Sequence, residues 1–430
     1  MGRKISFIGL QNGDEGKGKV TQKIVSLAAE RVSPDLKYHK VAVERYEGGP
    51  NAGHTLIHDG ETLKLHQIPC GITIPQVYNH LGEGMYLNPR LLMKEIKDLQ
   101  GRGIPVHQWN LGIAATAQVI LDNHVKEDLP AFKRLDHTST GNGIKQVAVD
   151  KYGRVGMRFI EFLDKYLMAE CLEKRFPKGM PKKQGTAWNF AESYAQEREF
   201  LQPFMVQQHV AEKTQGKEYW ICEGAQGFLL DVDAGQYPGV TSSHPAHVPN
   251  GTDIILGVVK LYSSSVGTGD RPFMSRMECF LEDILRKKWG EFGSTTGRKR
   301  EIGWFDAVAV KYAVEATHTD YLIGTCGDRL EELHTMNEPL KMVTGYKIGP
   351  KVFHEWDVSF HRRDTLAQVE PIFEEFEPWE HFTQANGTTL TNPAQRYVDR
   401  IQELTGKEFV MLGTGPAQDD GVVYRNVLEL

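Results

Sequence analysis

Cysteine is scarce and scattered. The five residues, Cys70, Cys171, Cys222, Cys279 and Cys326, form no CxxC pair, which argues against a disulfide framework or a zinc site and points to a reducing cytoplasm. Positive charge is not in excess either. With 50 Lys and Arg against 56 Asp and Glu, the net charge of −6 excludes broad attachment to nucleic acid or anionic membrane, so any phosphate must be gripped locally. No apolar run is long enough to span a bilayer, and Met1-Gly2-Arg3-Lys4 leads into strand-like Ile5-Ser6-Phe7-Ile8 without a signal segment. Internal repeats and low-complexity tracts are missing too. What is present is 40% hydrophobic and 25% charged residue content, enough over 430 residues to bury a large core. We expect one domain, 1–430, with helical insertions at about 90–215.

Residues 4–10 read as a buried strand, followed by a glycine-rich loop and a helical pattern that places Val20, Ile24, Leu27 and Ala28 on one side. A second strand, 40–46, runs into another glycine-rich turn. Further on, 90–99 and 305–316 read as helices, and 219–222, 321–324 and 409–412 as buried strands that each precede a polar loop. The stretch 162–217 is polar and largely helical in pattern. This alternation predicts an α/β fold with a mostly parallel sheet and ligands at the carboxyl ends of its strands.

Three loops hold the residue types that chemistry needs. The first, Gly9-Leu10-Gln11-Asn12-Gly13-Asp14-Glu15-Gly16-Lys17-Gly18-Lys19, departs from a Walker A sequence: six residues separate Gly9 from Gly16, and Gly18 stands where Ser or Thr would hold magnesium. Backbone amides at a helix start still suit phosphate, Lys17 adds a cation, and Asp14 offers a carboxylate for a metal or a proton. The second loop sets His54 beside Gly53, where imidazole can serve an oxygen atom as an acid. Alone, His54, Gln226, Thr140 and Thr241 would read as ordinary structural residues. The third, Gly293-Ser294-Thr295-Thr296-Gly297-Arg298-Lys299-Arg300, puts hydroxyls before cations and suits a dicarboxylate, since arginine grips a carboxylate through paired hydrogen bonds.

Taken together, Gly13-Asp14-Glu15-Gly16-Lys17-Gly18-Lys19, Asn51-Ala52-Gly53-His54-Thr55, Glu223-Gly224-Ala225-Gln226-Gly227, Val240-Thr241-Ser242-Ser243 and the third loop followed by Gly303-Trp304 resemble the adenylosuccinate synthetase family in order and spacing, from about residue 4 to 416. The resemblance implies that family's P-loop-related fold, with a large central sheet and flanking helices. It also implies a ligase that joins L-aspartate to C6 of a purine nucleoside 5′-monophosphate through a 6-phosphoryl intermediate, driven by a triphosphate with Mg2+. By that resemblance Asp14 is the base and a metal ligand, Gly53 supplies a metal contact through its carbonyl, His54 is the acid at O6, and Lys17 and Gln226 complete the catalytic set. The monophosphate is expected at Asn51, Ser139, Thr140, Gln226, Thr241 and Arg298, with Arg154 reaching in from a second subunit of a homodimer. Aspartate is expected at Ser294, Thr295, Thr296, Gly297, Arg298 and Arg300, the last as carboxylate clamp. The triphosphate is expected along Gly13, Asp14, Glu15, Gly16, Lys17, Gly18 and Lys19, with Gly53, His54, Thr55 and Arg300 nearby and its base near Asp328, Gly413, Thr414 and Gly415.

The family's Lys-Leu-Asp guanine motif reads Cys326-Gly327-Asp328 here, its Thr-Thr-Gly-Arg-Gly-Ile-Gly-Pro segment reads Ser139-Thr140-Gly141-Asn142-Gly143-Ile144-Lys145-Gln146, its tryptophan before the first loop is Asn12, and after Ser243 comes His244-Pro245-Ala246-His247-Val248-Pro249. Because these changes surround the nucleotides and spare the chemical residues, the expected reading is a phage-type 2-aminoadenylosuccinate synthase that retains Asp14, acting on dGMP with ATP or dATP in the host cytoplasm. The alternative is an ordinary member using IMP and GTP. A non-catalytic nucleotide-binding homologue would have no need of acid, base, phosphate lysine and arginine loop together, and a signalling GTPase would need the guanine motif and a Ser or Thr for magnesium.

Overall fold

A computed structural model describes residues 2–32, 39–134, 139–181, 184–206, 216–266, 273–293, 297–415 and 420–430. Its centre is an 11-stranded sheet. From one edge the strands run Gly421–Val423, Phe409–Gly413, Tyr321–Thr325, Ile254–Lys260, Arg3–Gly9, Tyr219–Glu223, Val41–Gly48, Val77–Leu87, Leu111–Ala114 and Met205–Val206, with Gln118–Val119 also paired to Val77–Leu87. All pair in parallel except Gly421–Val423, which is antiparallel.

The sheet is buried on both faces, as its apolar strands require. On Arg3–Gly9 the alternation of side chains sends Ile5 and Phe7 to one face, where Val20, Ile24, Val25 and Ala28 of the helix Lys17–Arg31 cover them. Ile8 and Leu10 go to the other face, against a core that includes Trp304, Val310 and Ala313. Gly16, left-handed at φ 81°, starts the helix, and Val32 ends it by turning extended. A third core, including Ile96, Phe162, Phe190 and Tyr194, holds the helical region between Pro89–Gly101 and Ala195–Leu201 to the far edge of the sheet. Among the described residues no helix is long and apolar enough to cross a membrane.

One expected element is shifted. Residues 305–316 read as a single helix, but Phe305–Asp306 forms a short strand parallel to Leu340–Ile348, and the helix is Ala307–Thr317. The cause is local: extended Asp306 accepts the Ala309 N–H at 3.0 Å and caps the helix there.

The first strand, Arg3–Gly9, lies between Tyr219–Glu223 and Ile254–Lys260. From the carboxyl ends of Arg3–Gly9 and Ile254–Lys260 the chain goes opposite ways, to Val41–Gly48 on one side and to Tyr321–Thr325 on the other, which opens a crevice where ligands of α/β sheets bind. The loops after Gly9, Gly48, Glu223, Lys260, Thr325 and Gly413 all leave the sheet at that edge.

Candidate functional site

At this edge lies a cleft of about 1020 Å³. Gly13, Asp14, Asn51, Gly53, His54, Ser139, Thr140, Gln226, Thr241 and Arg298 line it, so residues from six separate stretches of the sequence meet in one place. Gln226 holds a left-handed φ of 51°, and its amide oxygen, like that of Asn51, is buried with no hydrogen-bond partner among the described residues. A buried acceptor left so is costly unless something supplies the donor. Arg298 Nη1 donates to the Ser139 carbonyl at 3.1 Å and so joins the third loop to the segment that carries Thr140.

Other expected residues lie elsewhere. Lys17 is buried beneath the first loop, where its ammonium meets Glu15 Oε2 at 2.6 Å and donates to the Gly13 carbonyl at 3.2 Å; Glu15 Oε1 accepts the Gly13 N–H at 2.7 Å. Lys17 and Glu15 thus brace the loop from below. Gly18 has a steric reason: a Cβ there would lie 2.8 Å from His54 Cβ, so a Ser or Thr at this position would have to push His54 aside. Thr55 is exposed on the hairpin His54–His58/Glu61–Leu65. Arg154 is exposed just past the helix Ile144–Tyr152 and does not line its own chain's cleft. Gly297 donates its N–H to the Gly293 carbonyl at 2.8 Å, while Ser294, Thr295 and Thr296 lie outside the described residues.

Lys19 and Gly413 line a second cavity of about 50 Å³ together with Thr325 and Asp420. Lys19 Nζ donates to the Gly415 carbonyl, and Thr414 N–H to the Asp420 carbonyl at 3.1 Å. Burial raises the Asp328 carboxyl above its usual range against the pull of Arg329 and Lys19, so Lys19 and Asp328 share one neighbourhood. Next to Asp328, Cys326 is left-handed at φ 61°, and a Cβ on Gly327 would lie 2.7 Å from Phe382 Cε2 and closer still to Cζ and Cε1. Trp379 Nε1 donates to the Gly327 carbonyl at 3.2 Å. The leucine of the family motif is therefore excluded here by an aromatic ring. Gly327→Leu is expected to destabilise the chain by about 1–3 kcal/mol through overpacking; an unchanged melting temperature would mean that Phe382 yields freely.

Two ionic assemblies face the cleft. His54 Nδ1 pairs with Glu223 Oε1, and Glu223 also accepts the Cys70 N–H at 2.8 Å and the Cys70 thiol at 3.0 Å. Burial lowers the His54 pKa against the opposing Glu223 charge. Burial would raise Glu223, but His54 and Arg45 outweigh it and hold the carboxyl down to about 2. The second assembly joins Asp14 Oδ1 to Arg300 Nη2 at 2.7 Å, and Arg300 Nη1 to Glu291 Oε2 at 2.7 Å. Burial raises the Asp14 pKa, with Arg300 and Lys260 opposing. The Asp14 carboxylate and the Gly53 carbonyl are hard oxygen donors on one wall, a set that suits Mg2+.

Sequence reading assigned no role to Glu223, Glu291 or Glu47. Glu223 had a signal, as the last residue of a buried strand before a glycine turn. Glu47 is buried at the end of Val41–Gly48, and its Oε1 accepts the Ala225 N–H at 2.7 Å, just before Gln226. Burial pushes its carboxyl up to about 7. A carboxyl whose pKa is raised by folding contributes stability below its unfolded pKa and loses it as pH rises through the folded value. Melting temperature should accordingly fall between the usual carboxylate range and pH 7, and Glu47→Gln should flatten that slope; an equal slope in the variant would assign it to other groups.

The chain matches the family model for adenylosuccinate synthetase over residues 6–422. It is 36% identical to the adenylosuccinate synthetase of Caldanaerobacter subterraneus, covering 98% of this chain and 99% of that protein, and 36% identical to that of Thioalkalivibrio sulfidiphilus, covering all of both. In fold it resembles the fully ligated adenylosuccinate synthetase of Plasmodium falciparum, with a TM-score of 0.81 at 24% identity over 99% of this chain and 100% of the other. The succinoaminodeoxyadenylate synthetase of cyanophage S-2L, solved with dGMP and dATP, aligns at a TM-score of 0.58 and 17% identity over 98% and 95%.

Proposed function

The chain belongs to the adenylosuccinate synthetase family of C–N ligases, and we propose that it condenses L-aspartate with C6 of IMP at the expense of GTP, with Mg2+. IMP is the 6-oxopurine that gives adenylosuccinate, the product named for the full-length relatives. The observation that carries the ligase reading is the meeting of Asp14, the His54–Glu223 pair and Gln226 in one cleft.

In this reading Asp14 takes the proton from purine N1. Burial raises its proton affinity, and the Arg300 contact restrains it until Arg300 turns to the substrate carboxylate. O6, made nucleophilic, attacks the γ-phosphorus, and the nucleoside diphosphate departs. Because Glu223 only accepts, His54 carries a proton on Nδ1, and its imidazolium form also has an Nε2 proton to give to O6 as the phosphate leaves. The amine of aspartate then attacks C6 and displaces phosphate, a better leaving group than the original oxygen. Mg2+ held by Asp14 and the Gly53 carbonyl would neutralise charge on the transferred phosphoryl group. Arg154, exposed on its own chain, would complete the monophosphate site of a second subunit.

A second reading takes dGMP with ATP or dATP. It rests on Cys326-Gly327, where the Phe382 ring leaves no space for the leucine that frames guanine. Phosphate release with Mg2+ and aspartate, crossing IMP, GMP and dGMP with GTP, ATP and dATP and identifying the product by mass, separates the two. Turnover of IMP with GTP is expected. Turnover confined to dGMP with ATP or dATP would replace the first reading with the second, and no aspartate-dependent release with any pair would remove both.

A further inference from the structure

Glu291 is linked through Arg300 to Asp14 on the cleft lining, and it is fully buried and crowded with donors. Its Oε1 accepts from Lys260 Nζ at 2.8 Å, from Arg329 Nη1 at 2.6 Å and from the Tyr262 hydroxyl, while its Oε2 accepts from Arg300 Nη1 at 2.7 Å. One cation would satisfy a structural ion pair. Here three arrive from three separate places at the ligand edge of the sheet: Lys260 ends a central strand, Arg300 starts the strand Arg300–Gly303, and Arg329 follows Asp328 in the turn Asp328–Leu330. The other Arg300 nitrogen, Nη2, holds Asp14 at 2.7 Å. A continuous path of hydrogen-bonded contacts thus runs from the loop after Thr325, through Arg329, Glu291 and Arg300, to the base.

We propose that Glu291 is a positioning residue that couples the loop receiving the triphosphate's base to Arg300, the clamp for the aspartate carboxylate. The inference rests on the ligase reading above. Its physical basis is competition for one buried negative charge. Arg329 and Lys260 partly neutralise Glu291, which weakens its hold on Arg300 and leaves the guanidinium free to turn to a substrate carboxylate. Without Arg329, Glu291 holds Arg300 more tightly. Because a buried carboxylate interacts in a medium of low effective dielectric, a change at Arg329 is felt at Arg300 far more than it would be across water.

The test uses Arg329→Met in the full chain. This side chain is one-third exposed, so its loss is tolerable for folding. The KM for aspartate is expected to rise about fivefold or more, in the range of ordinary coupling between sites, with kcat and the KM for the monophosphate little changed. Arg329→Lys, which keeps the cation, is expected to recover most of that loss. Glu291→Gln, which removes the competing charge on Arg300, should leave the KM for aspartate unchanged or lower it, and in the double variant Arg329→Met should no longer raise it. A rise confined to the triphosphate KM would overturn the proposal, as would additive effects in the double variant, or a uniform decline that tracks a lower melting temperature. Absence of aspartate-dependent phosphate release in the unaltered chain would instead defeat the ligase reading itself.

Discussion

Asp14→Asn is expected to lower kcat by about 10²–10⁴-fold, the usual worth of a positioned general base. The substitution keeps size and leaves an oxygen for Arg300 Nη2, now 2.7 Å from Asp14 Oδ1, so the local geometry should survive. What it removes is the site for the N1 proton, and with it one of the two oxygen donors proposed for Mg2+. The effect should therefore fall on kcat and on magnesium dependence, while equilibrium binding of the monophosphate, proposed to draw on Asn51, Thr241 and Arg298 of the cleft lining, changes little. Single-turnover phosphate release with saturating aspartate would measure it. A loss of less than tenfold would mean that another group takes the proton. Among the described residues the other carboxylates lining the cleft are Asp128 and Asp233, neither of them on the first loop.

How much of this was legible beforehand follows from distance along the chain. The strand, glycine loop and helix at residues 3–31 could be read because their signals are local: a short buried run in Arg3–Gly9, glycines where the backbone turns, and a 3.6-residue apolar period in Lys17–Arg31. Asp14 and His54 drew attention because each sits in such a loop. Their partners did not, since Glu223 lies 169 residues from His54 and Arg300 lies 286 from Asp14. No periodicity links positions that only a parallel sheet brings together. The role of Gly18 was hidden for the same reason. Its sequence position suggested a missing magnesium ligand, but the contact that requires glycine is with His54, delivered by the turn after another strand. Cys326-Gly327 shows the reverse case: the departure from the family motif was visible, while its cause, Phe382, comes from a loop that carries no motif. Even a near neighbour was hidden, because Lys17 read as a cation for phosphate and its pairing with Glu15, two residues away, carried no signal of its own.

Glu223→Gln carries the second large effect, about 10²-fold in kcat/KM, at the lower end of what acid–base catalysis contributes. The carboxylate has two tasks: it fixes the tautomer of His54 by accepting from Nδ1, and its charge favours the imidazolium form. A glutamine can still accept from Nδ1, but it offers no charge, and it can also present its NH2 and invert the tautomer. The sign of the pH effect follows. Burial already lowers the His54 pKa, and Glu223 is the chief opposing influence, so its neutralisation should lower that pKa further. If His54 acts as an acid at O6, activity declines as pH rises through its pKa, and that decline should move to lower pH in the variant. His54→Asn should remove the same limb altogether and should not add to Glu223→Gln when the two are combined, because both act through one imidazole. Unaltered pH dependence in Glu223→Gln, with activity reduced, would instead make Glu223 a packing residue that anchors the Cys70 N–H and thiol, and would leave His54 without an electrostatic partner in the reaction.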